Sequence, residues 1–188
     1  DLAARLREEY AADPRVRVVE GDVLDLPLEE VSADPARLKV IGNIPYNITT
    51  PILFHLLAAR PRPRVIVIMV QREVADRILA LPGSRTYGAL AVGVQAVADV
   101  ERVLHVSRQA FRPVPDVEST VVRIHPRATS ILPPELERPL RTLTRLAFGQ
   151  RRKMLRQSLK ALPGAVEALA ALGIDEQRRA ETLSIAEF

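Results

Sequence analysis

The sequence of 188 residues contains no cysteine and no tryptophan, and only 4% of its residues are aromatic. The absence of cysteine excludes a disulfide framework and thiol chemistry, and it favours a cytoplasmic protein. No apolar run approaches the roughly 18 residues that a transmembrane helix needs, so we expect no contact with a membrane. Hydrophobic residues make up 47% and charged residues 27%, which is typical of an ordinary folded chain of one domain or slightly more.

Histidine is also scarce. The three histidines, His55, His105 and His125, are far apart in the sequence and have apolar neighbours. With no cysteine to assist them, we expect no metal site. The formal charge of +4 and the pI of about 9.9 are compatible with a nucleic-acid partner but do not identify one.

The first two thirds of the chain show the pattern of an α/β protein. The apolar spacing predicts a layered sheet with an antiparallel pair at its end, and the run 65–70 is typical of a strand covered on both faces. Thr49 or Thr50 is expected to cap the helix that contains Pro51. The predicted strands are 16–20, 38–41, 65–70, 90–98 and 119–125, and the predicted helices are 2–10, 52–57 and 71–81.

After Pro126 the pattern becomes wholly helical. Helices are predicted to start near Pro134, after Gln150, near Pro163 and near Asp175, forming a small all-helical appendage. We therefore expect an α/β domain over residues 1–127 and a helical domain over residues 128–188.

The segment Asn43-Ile44-Pro45-Tyr46 directly follows a predicted strand, where open α/β sheets place their ligands. The exocyclic amino group of adenine is a poor nucleophile, because its lone pair is delocalised into the ring. The Asn43 side chain and the carbonyl of Ile44 or Pro45 could accept its two hydrogens, while Tyr46 stacks on the base. An ordinary strand-to-helix turn explains the same residues equally well.

Two further residues are candidates for base contacts. Asp22 ends a predicted strand, and its carboxylate could accept from the amino group of a bound adenine; an Asp that only caps its own loop is the simpler alternative. Phe111 lies in a loop stiffened by Pro113 and Pro115, where a second aromatic face could clamp a flipped base. A loop phenylalanine that plugs the core is the alternative.

A basic stretch dominates the helical part. Between residues 134 and 160 there are eight Lys or Arg residues and two Glu. Arg152, Arg156 and Lys160 recur at intervals of four, which predicts one basic helix face that could follow a phosphate backbone. A solvated helix face is the alternative.

Five motifs in this order resemble one family, the ribosomal RNA adenine dimethyltransferases, in their bacterial small-subunit branch. They are 42–51 (Gly-Asn-Ile-Pro-Tyr-Asn-Ile-Thr-Thr-Pro), 71–74 (Gln-Arg-Glu-Val), 82–88 (Pro-Gly-Ser-x-x-Tyr-Gly), 111–123 (Phe-x-Pro-x-Pro-x-Val-x-Ser-x-Val-Val-Arg) and 147–159 (Ala-Phe-x-x-Arg-Arg-Lys-x-Leu-Arg-x-Ser-Leu).

The resemblance implies a Rossmann-like class I methyltransferase sheet and a helical RNA-binding domain. It also implies a monomeric enzyme that uses S-adenosyl-L-methionine to dimethylate two adjacent adenosines near the 3′ end of 16S rRNA, in small-subunit biogenesis. By this resemblance the catalytic motif is 43–46, Asp22 and Asn43 contact the cofactor, and Tyr46 and Phe111 stack on the target base. The residues implied to bind RNA are Arg151, Arg152, Lys153 and Arg156.

Some family features are missing from the sequence. The Gly-rich loop after the first strand and the acidic residue for the cofactor ribose are not found, so we expect the chain to lack an N-terminal segment, including the first strands. We also expect its last helix to be trimmed. A non-catalytic RNA-binding fragment, a 23S rRNA adenine methyltransferase of the macrolide-resistance type and a DNA adenine methyltransferase remain alternatives.

Overall fold

A single mixed sheet of four strands organises the first part of the chain, in the order β1-β2-β4-β3. The computed structural model describes residues 1–127 and 132–188. The strands are β1 (Lys39–Asn43), β2 (Val65–Gln71), β3 (Ala98–Val106) and β4 (Ser119–Pro126). The helices before residue 127 are α1 (Leu2–Glu9), α2 (Leu28–Val31), α3 (Thr49–Ala58), α4 (Arg72–Ile78) and α5 (Ala89–Gln95).

The strand directions bring distant loops together. β1 pairs in parallel with β2, so that Asn43 lies beside Met69, whereas β4 runs antiparallel to β2, so that Ser119 lies beside Gln71. β3 also pairs antiparallel with β4, which confirms the predicted antiparallel pair at the end of the sheet. The start of β4 therefore meets the carboxyl ends of β1 and β2 at the same edge.

One face of the sheet carries the main core. In β2 the residues Ile66, Ile68 and Val70 are buried, and they pack with Leu53 of α3 and Val92 of α5 in one hydrophobic cluster. The alternate residues of β2 are only half buried. The prediction that this strand is covered on both faces was therefore wrong for the second face, where the neighbouring Ile41 is 83% exposed.

The segment 90–98 was predicted as a strand and is mostly the helix α5. Leu90 to Val94 are all buried, so the helix has no polar side in this stretch. The sequence of such a run shows no periodicity by which a buried helix could be distinguished from a buried strand. Gly93 faces the Phe54 ring, because a Cβ built there would lie 3.0 Å from Phe54 Cζ. The strand itself, β3, begins only at Ala98.

The segment 16–20 was predicted as a strand and is an irregular stretch. Val16 and Val19 are 41% and 50% exposed. A strand needs a neighbour that takes its backbone hydrogen bonds, and no strand lies beside this segment in the part of the chain that the structure describes. Side-chain contacts hold it instead, including an ion pair of 3.0 Å between Arg7 and Glu20.

The start of α3 differs in detail from the prediction. The helix begins at Thr49 with Ile48 at its N-cap, and no side chain caps it. Thr49 is instead inside the first turn, where its hydroxyl donates to the Pro45 carbonyl over 3.4 Å. Pro51 lies in the first turn, as predicted.

Residues 132–188 consist of helices and turns, and three of the four predicted helices are present. The helices are α6 (Glu137–Gly149), α7 (Leu155–Ser158) and α8 (Ala165–Ala171). They build a second hydrophobic cluster around Leu155, Leu159 and Leu183, whereas Leu140 of α6 belongs to the sheet core. The predicted domain boundary between 127 and 128 adjoins residues 128–131, which lie outside the described residues.

Two helical predictions were wrong. Near Asp175 the chain forms a turn, because the Asp175 carboxylate accepts from the Gln177 amide and short 3₁₀ turns follow at Ala180–Thr182 and Ile185–Glu187. α7 spans four residues, so Arg152 and Lys160 lie in turns and do not share a helix face with Arg156. A period of four predicts a common face only if the helix is continuous, and here it is not.

No helix in the described parts of the chain is long and apolar enough to cross a membrane.

Candidate functional site

The motif 43–46 lies at the carboxyl edge of the sheet, where β1 ends at Asn43. Gly42 permits the close turn, because a Cβ at this position would lie 3.2 Å from the Ile44 side chain and 3.4 Å from that of Ile68. Pro45, with φ of −57° and ψ of 136°, leads the chain into the turn before α3. The motif is therefore held in one conformation between the sheet and a helix.

The same motif forms a cleft with the loop before β4. The cleft encloses about 300 Å³ and is lined by residues from both segments. Phe111 and Tyr46 both line it, and both residues are partly buried. The lining residues are Asn43, Ile44, Pro45, Tyr46, Phe111, Arg112, Pro113 and Pro115.

Tyr46 is anchored to the sheet through its hydroxyl group. Its oxygen lies 2.7 Å from the Ser119 hydroxyl oxygen, across 73 residues of sequence. Ser119 is fully buried at the start of β4. Because this bond fixes the far end of the ring, the aromatic face of Tyr46 is presented to the cleft in a defined orientation.

The acceptors at the cleft are not equivalent. The Pro45 carbonyl already accepts from the Ile48 amide over 3.2 Å and from the Thr49 hydroxyl. Neither the Ile44 carbonyl nor the Asn43 side-chain amide has a partner among the described residues. The structure thus favours Ile44 over Pro45 as the backbone acceptor, a choice that the sequence left open.

The loop that carries Phe111 is fixed by polar contacts at both ends. The Arg112 guanidinium donates to the carbonyls of Gln109 and Phe111 over 3.1 and 2.9 Å. The Glu118 carboxylate accepts from the Arg108 amide, and the Glu118 carbonyl accepts from the Arg72 amide, each over 2.9 Å. The loop is thereby tied both to itself and to α4.

Asp22 is an exposed residue in a tight turn. Its Oδ1 accepts from the Leu24 amide over 2.9 Å, as expected of an Asp that stabilises its own loop. Its Oδ2 has no partner within the described residues. One carboxylate oxygen therefore remains free to accept from a ligand.

The predicted RNA-binding residues differ in their contacts. Arg151 donates to the Arg85 carbonyl over 2.8 Å, and Arg156 pairs with Glu176 over 3.5 Å. Arg152 and Lys153 are exposed, and their side chains contact no acceptor in the described residues. No group of histidines and carboxylates suited to a metal ion occurs in residues 1–127 or 132–188.

Three residues with evident roles were missed at the sequence level. Ser119 belongs to a motif that was noticed, but nothing in the sequence links it to Tyr46. Arg85 and Arg179 line a second cleft together with Arg152, although they come from segments far apart in the sequence. Only strand register and loop packing reveal these partners.

The chain is similar in sequence and in fold to proteins of known name. The family model for ribosomal RNA adenine dimethylase matches residues 1–188. The ribosomal RNA small subunit methyltransferase A of Idiomarina loihiensis is 42% identical over 189 residues, which cover all of this chain and 65% of that protein. The chain thus spans slightly less than two thirds of this relative.

Two solved structures show the same fold at 26% identity. A dimethyladenosine transferase from Plasmodium falciparum superposes with a TM-score of 0.79 over 97% of this chain and 73% of its own. The 23S rRNA methyltransferase ErmE superposes with a TM-score of 0.67 over 99% of this chain and 74% of its own. The expected methyltransferase-type sheet followed by helices is thereby confirmed. Together, the five motifs, the fold and the match along the whole sequence show that this chain belongs to the ribosomal RNA adenine dimethylase family.

Proposed function

We propose that this protein takes part in the S-adenosyl-L-methionine-dependent dimethylation of the exocyclic amino groups of two adjacent adenosines near the 3′ end of 16S rRNA. It would do so as a cytoplasmic monomer during small-subunit biogenesis. The observation that carries the proposal is the cleft in which Asn43, Ile44 and Tyr46 meet Phe111. The name of the Idiomarina relative supports the choice of the small subunit.

The cleft suits a flipped adenine. Tyr46 and Phe111 offer two aromatic faces, and base stacking on an aromatic side chain contributes roughly 1–3 kcal/mol per base. The Asn43 side-chain oxygen and the Ile44 carbonyl are the two free acceptors beside these rings. Accepting both amino hydrogens draws the nitrogen toward tetrahedral geometry and makes its lone pair available.

The cofactor would be held near Asp22 and Asn43. The free Oδ2 of the exposed Asp22 fits the amino group of an adenine, which needs an acceptor. When bound, S-adenosyl-L-methionine supplies a methyl group on a positively charged sulfur, an electrophile for the adenosine nitrogen. The contribution of this chain is then positioning of the base, with no dedicated general base required if the proton leaves the nitrogen after transfer.

The two parts of the chain would have different roles. We propose that residues 1–127 hold the base and the cofactor, and that residues 128–188 bind RNA. Arg152 and Lys153 are exposed and unpaired in the described structure, so they are the best placed of the predicted basic residues to contact phosphate. Arg151 and Arg156 instead form ion pairs with Glu181 and Glu176, respectively.

The proposal is tested by mapping the product. The protein is incubated with undermethylated ribosomal subunits and the methyl donor, and the rRNA is then read by primer extension, which stops at dimethylated adenosine. Stops at two adjacent adenosines near the 3′ end of 16S rRNA are expected. Calorimetric titration with S-adenosyl-L-methionine in parallel distinguishes a catalytic protein from a non-catalytic RNA-binding module. If the protein binds RNA but not the methyl donor, only the RNA-binding module remains.

The similarity to ErmE makes 23S rRNA a second candidate target. The same primer extension on 23S rRNA distinguishes the two, since each target stops the polymerase on a different molecule. The stretch Phe148-x-x-Arg151-Arg152-Lys153 favours the 16S target. A stop in 23S rRNA alone would reverse the assignment.

A further inference from the structure

Two adjacent residues where β4 begins contact both segments of the cleft that Tyr46 and Phe111 line. Ser119 bonds to the Tyr46 hydroxyl over 2.7 Å. Glu118, directly before it, contacts the loop that carries Phe111, because its Oε2 accepts from the Arg108 amide over 2.9 Å. The sheet is therefore connected to one aromatic residue through Ser119 and to the loop of the other through Glu118.

The contact of Glu118 lies at the base of the loop between β3 and β4. The Arg108 amide is the first of a short 3₁₀ turn, Arg108–Ala110, that leads directly into Phe111. Within this turn the Arg108 carbonyl accepts from the Phe111 amide over 3.3 Å. The first amides of a helical turn have no partner inside the turn, so the Glu118 carboxylate supplies one from the other end of the loop.

Glu118 is itself held by its surroundings. Its carbonyl accepts from the Arg72 amide at the start of α4 over 2.9 Å. The Nε2 atom of His105, on β3, lies 3.6 Å from the same carboxylate oxygen that binds the Arg108 amide. Glu118 is partly buried and does not line the cleft. It can therefore hold the loop in place, but it does not touch a base bound in the cleft.

We infer that Glu118 is a positioning residue for methyl transfer, which acts through the Arg108 amide to hold Phe111 in the cleft. The inference rests on the proposed function for the nature of the reaction. A carboxylate binds an amide more strongly than a neutral acceptor does, and small displacements of groups that orient a substrate are costly. Phosphate contacts dominate RNA affinity, so the loss of Glu118 should slow transfer from bound RNA without weakening RNA binding.

The kinetic test uses Glu118→Ala. We expect the single-turnover rate of methyl transfer at saturating RNA to fall roughly tenfold, as for the loss of a hydrogen bond to a charged group. The RNA dissociation constant should stay within about twofold of wild type. Glu118→Gln keeps an acceptor at the same distance and should recover most of the rate. Weaker RNA binding with a normal rate at saturation would show that Glu118 does not position the base.

Glu101→Ala is the matched control. Glu101 lies on β3, pairs with Arg123 over 2.8 Å and has His125 Nε2 3.7 Å from its carboxylate. Its loss removes the same charge from the same pair of strands, but Glu101 has no contact with the loop that carries Phe111 among the described residues. Methyl transfer by this variant should be normal. Equal slowing in both variants would overturn the inference in favour of a general weakening of the strand pair.

A second measurement reports on the loop without requiring catalysis. The chain contains no tryptophan, so Phe111→Trp introduces a single indole fluorophore into the loop. We expect acrylamide to quench this fluorophore about twofold more strongly when Glu118→Ala is added, because a loop without its contact at the base samples more open states. Adding Glu101→Ala should leave the quenching unchanged. Equal quenching with and without Glu118 would contradict its role in holding the loop. Circular dichroism verifies that the variants are folded.

The outcome is separable from that of the proposed function. If the wild type methylates rRNA and Glu118→Ala behaves as Glu101→Ala does in both measurements, only the role of Glu118 is wrong. If the wild type methylates no rRNA but Glu118→Ala still raises the quenching, the proposed activity fails and the contact between Glu118 and the loop is supported.

Discussion

The two clefts of this protein differ in how their contacts are held in place. The first, at the end of β1, places an amide, a backbone carbonyl and two aromatic rings on a strand end and two proline-stiffened loops. The second, which we call the arginine cleft, is lined by Arg85, Arg151, Arg152 and Arg179, and of these four side chains only Arg151 has a partner in the described structure. The first cleft has one guanidinium group, that of Arg112, which is bonded to its own loop, whereas the second has four.

This difference matches the two physical tasks. Transfer of a methyl group depends on aligned atoms, and small displacements of the reacting groups are costly. Attraction of a polyanion depends on the number of charges and tolerates loose geometry, but it weakens with salt. We therefore expect changes in the first cleft to alter turnover, and changes in the arginine cleft to alter affinity and its salt dependence.

The largest effect should come from Asn43→Ala. The variant loses the side-chain acceptor for the amino group, and we expect methyl transfer to fall by roughly 10²–10³ by analogy with the loss of one oriented hydrogen-bonding group. RNA affinity should stay within about twofold of wild type, since no charge is removed. Methyl transfer is measured by the incorporation of labelled methyl groups into small subunits, and RNA affinity is measured by fluorescence anisotropy.

Asn47→Ala is the matched control for this change. Asn47 is exposed in the next turn and does not line the cleft, so its variant should methylate normally. If Asn47→Ala lowered methyl transfer as much as Asn43→Ala, the role of Asn43 as a specific acceptor would be wrong.

Ser119→Ala should have a smaller effect on the same cleft. The substitution removes the partner of the Tyr46 hydroxyl, and a net loss of about 1 kcal/mol corresponds to roughly fivefold slower transfer from bound RNA. The RNA dissociation constant should not change. The measurement is the single-turnover rate of methyl transfer at saturating RNA.

A double-mutant cycle with Tyr46→Phe separates positioning from a general loss of structure. Both substitutions remove the same hydrogen bond, so their combination should be little slower than either alone. Additive losses would show that Ser119 does not act through Tyr46.

The smallest effect concerns pH and the ion pair between Glu187 and Arg178. The Arg178 guanidinium, followed by the Ser184 backbone amide, lowers the pKa of Glu187 from 4.5 to about 2. A carboxylate whose pKa is lowered by folding stabilises the protein above its unfolded pKa, and this contribution is lost as the pH falls toward the folded pKa. The stability difference between wild type and Glu187→Gln should therefore shrink between pH 4.5 and about 2.

Urea unfolding at several pH values measures this difference. Glu8→Gln is a suitable control, because Glu8 is exposed on α1 and has no ion pair in the described residues. A difference between wild type and Glu187→Gln that is independent of pH would contradict the role of the charge.

The accuracy of the sequence predictions followed the kind of signal available. The segments 65–70 and 119–125 were predicted as strands because short β-branched runs stand between turns, and the structure has strands at Val65–Gln71 and Ser119–Pro126. α5 was missed because a helix that is apolar on all sides has no periodic signature. The segment 16–20 has the composition of a strand, but a strand also needs a second segment to pair with. The composition of the first segment does not show whether such a partner is present.

The sequence by itself determined the family, through five motifs in order, and it identified the residue types that a base-binding cleft requires. Only the tertiary structure decided that Phe111 lines the same cleft as the motif 43–46, that Ser119 bonds to Tyr46, and that the Ile44 carbonyl is free while that of Pro45 is not. It also decided that Arg151 is occupied while Arg85 and Arg179 join Arg152. A motif shows which residue types lie together in one stretch of the sequence. These contacts instead join residues far apart in the chain, and they depend on strand register and loop packing.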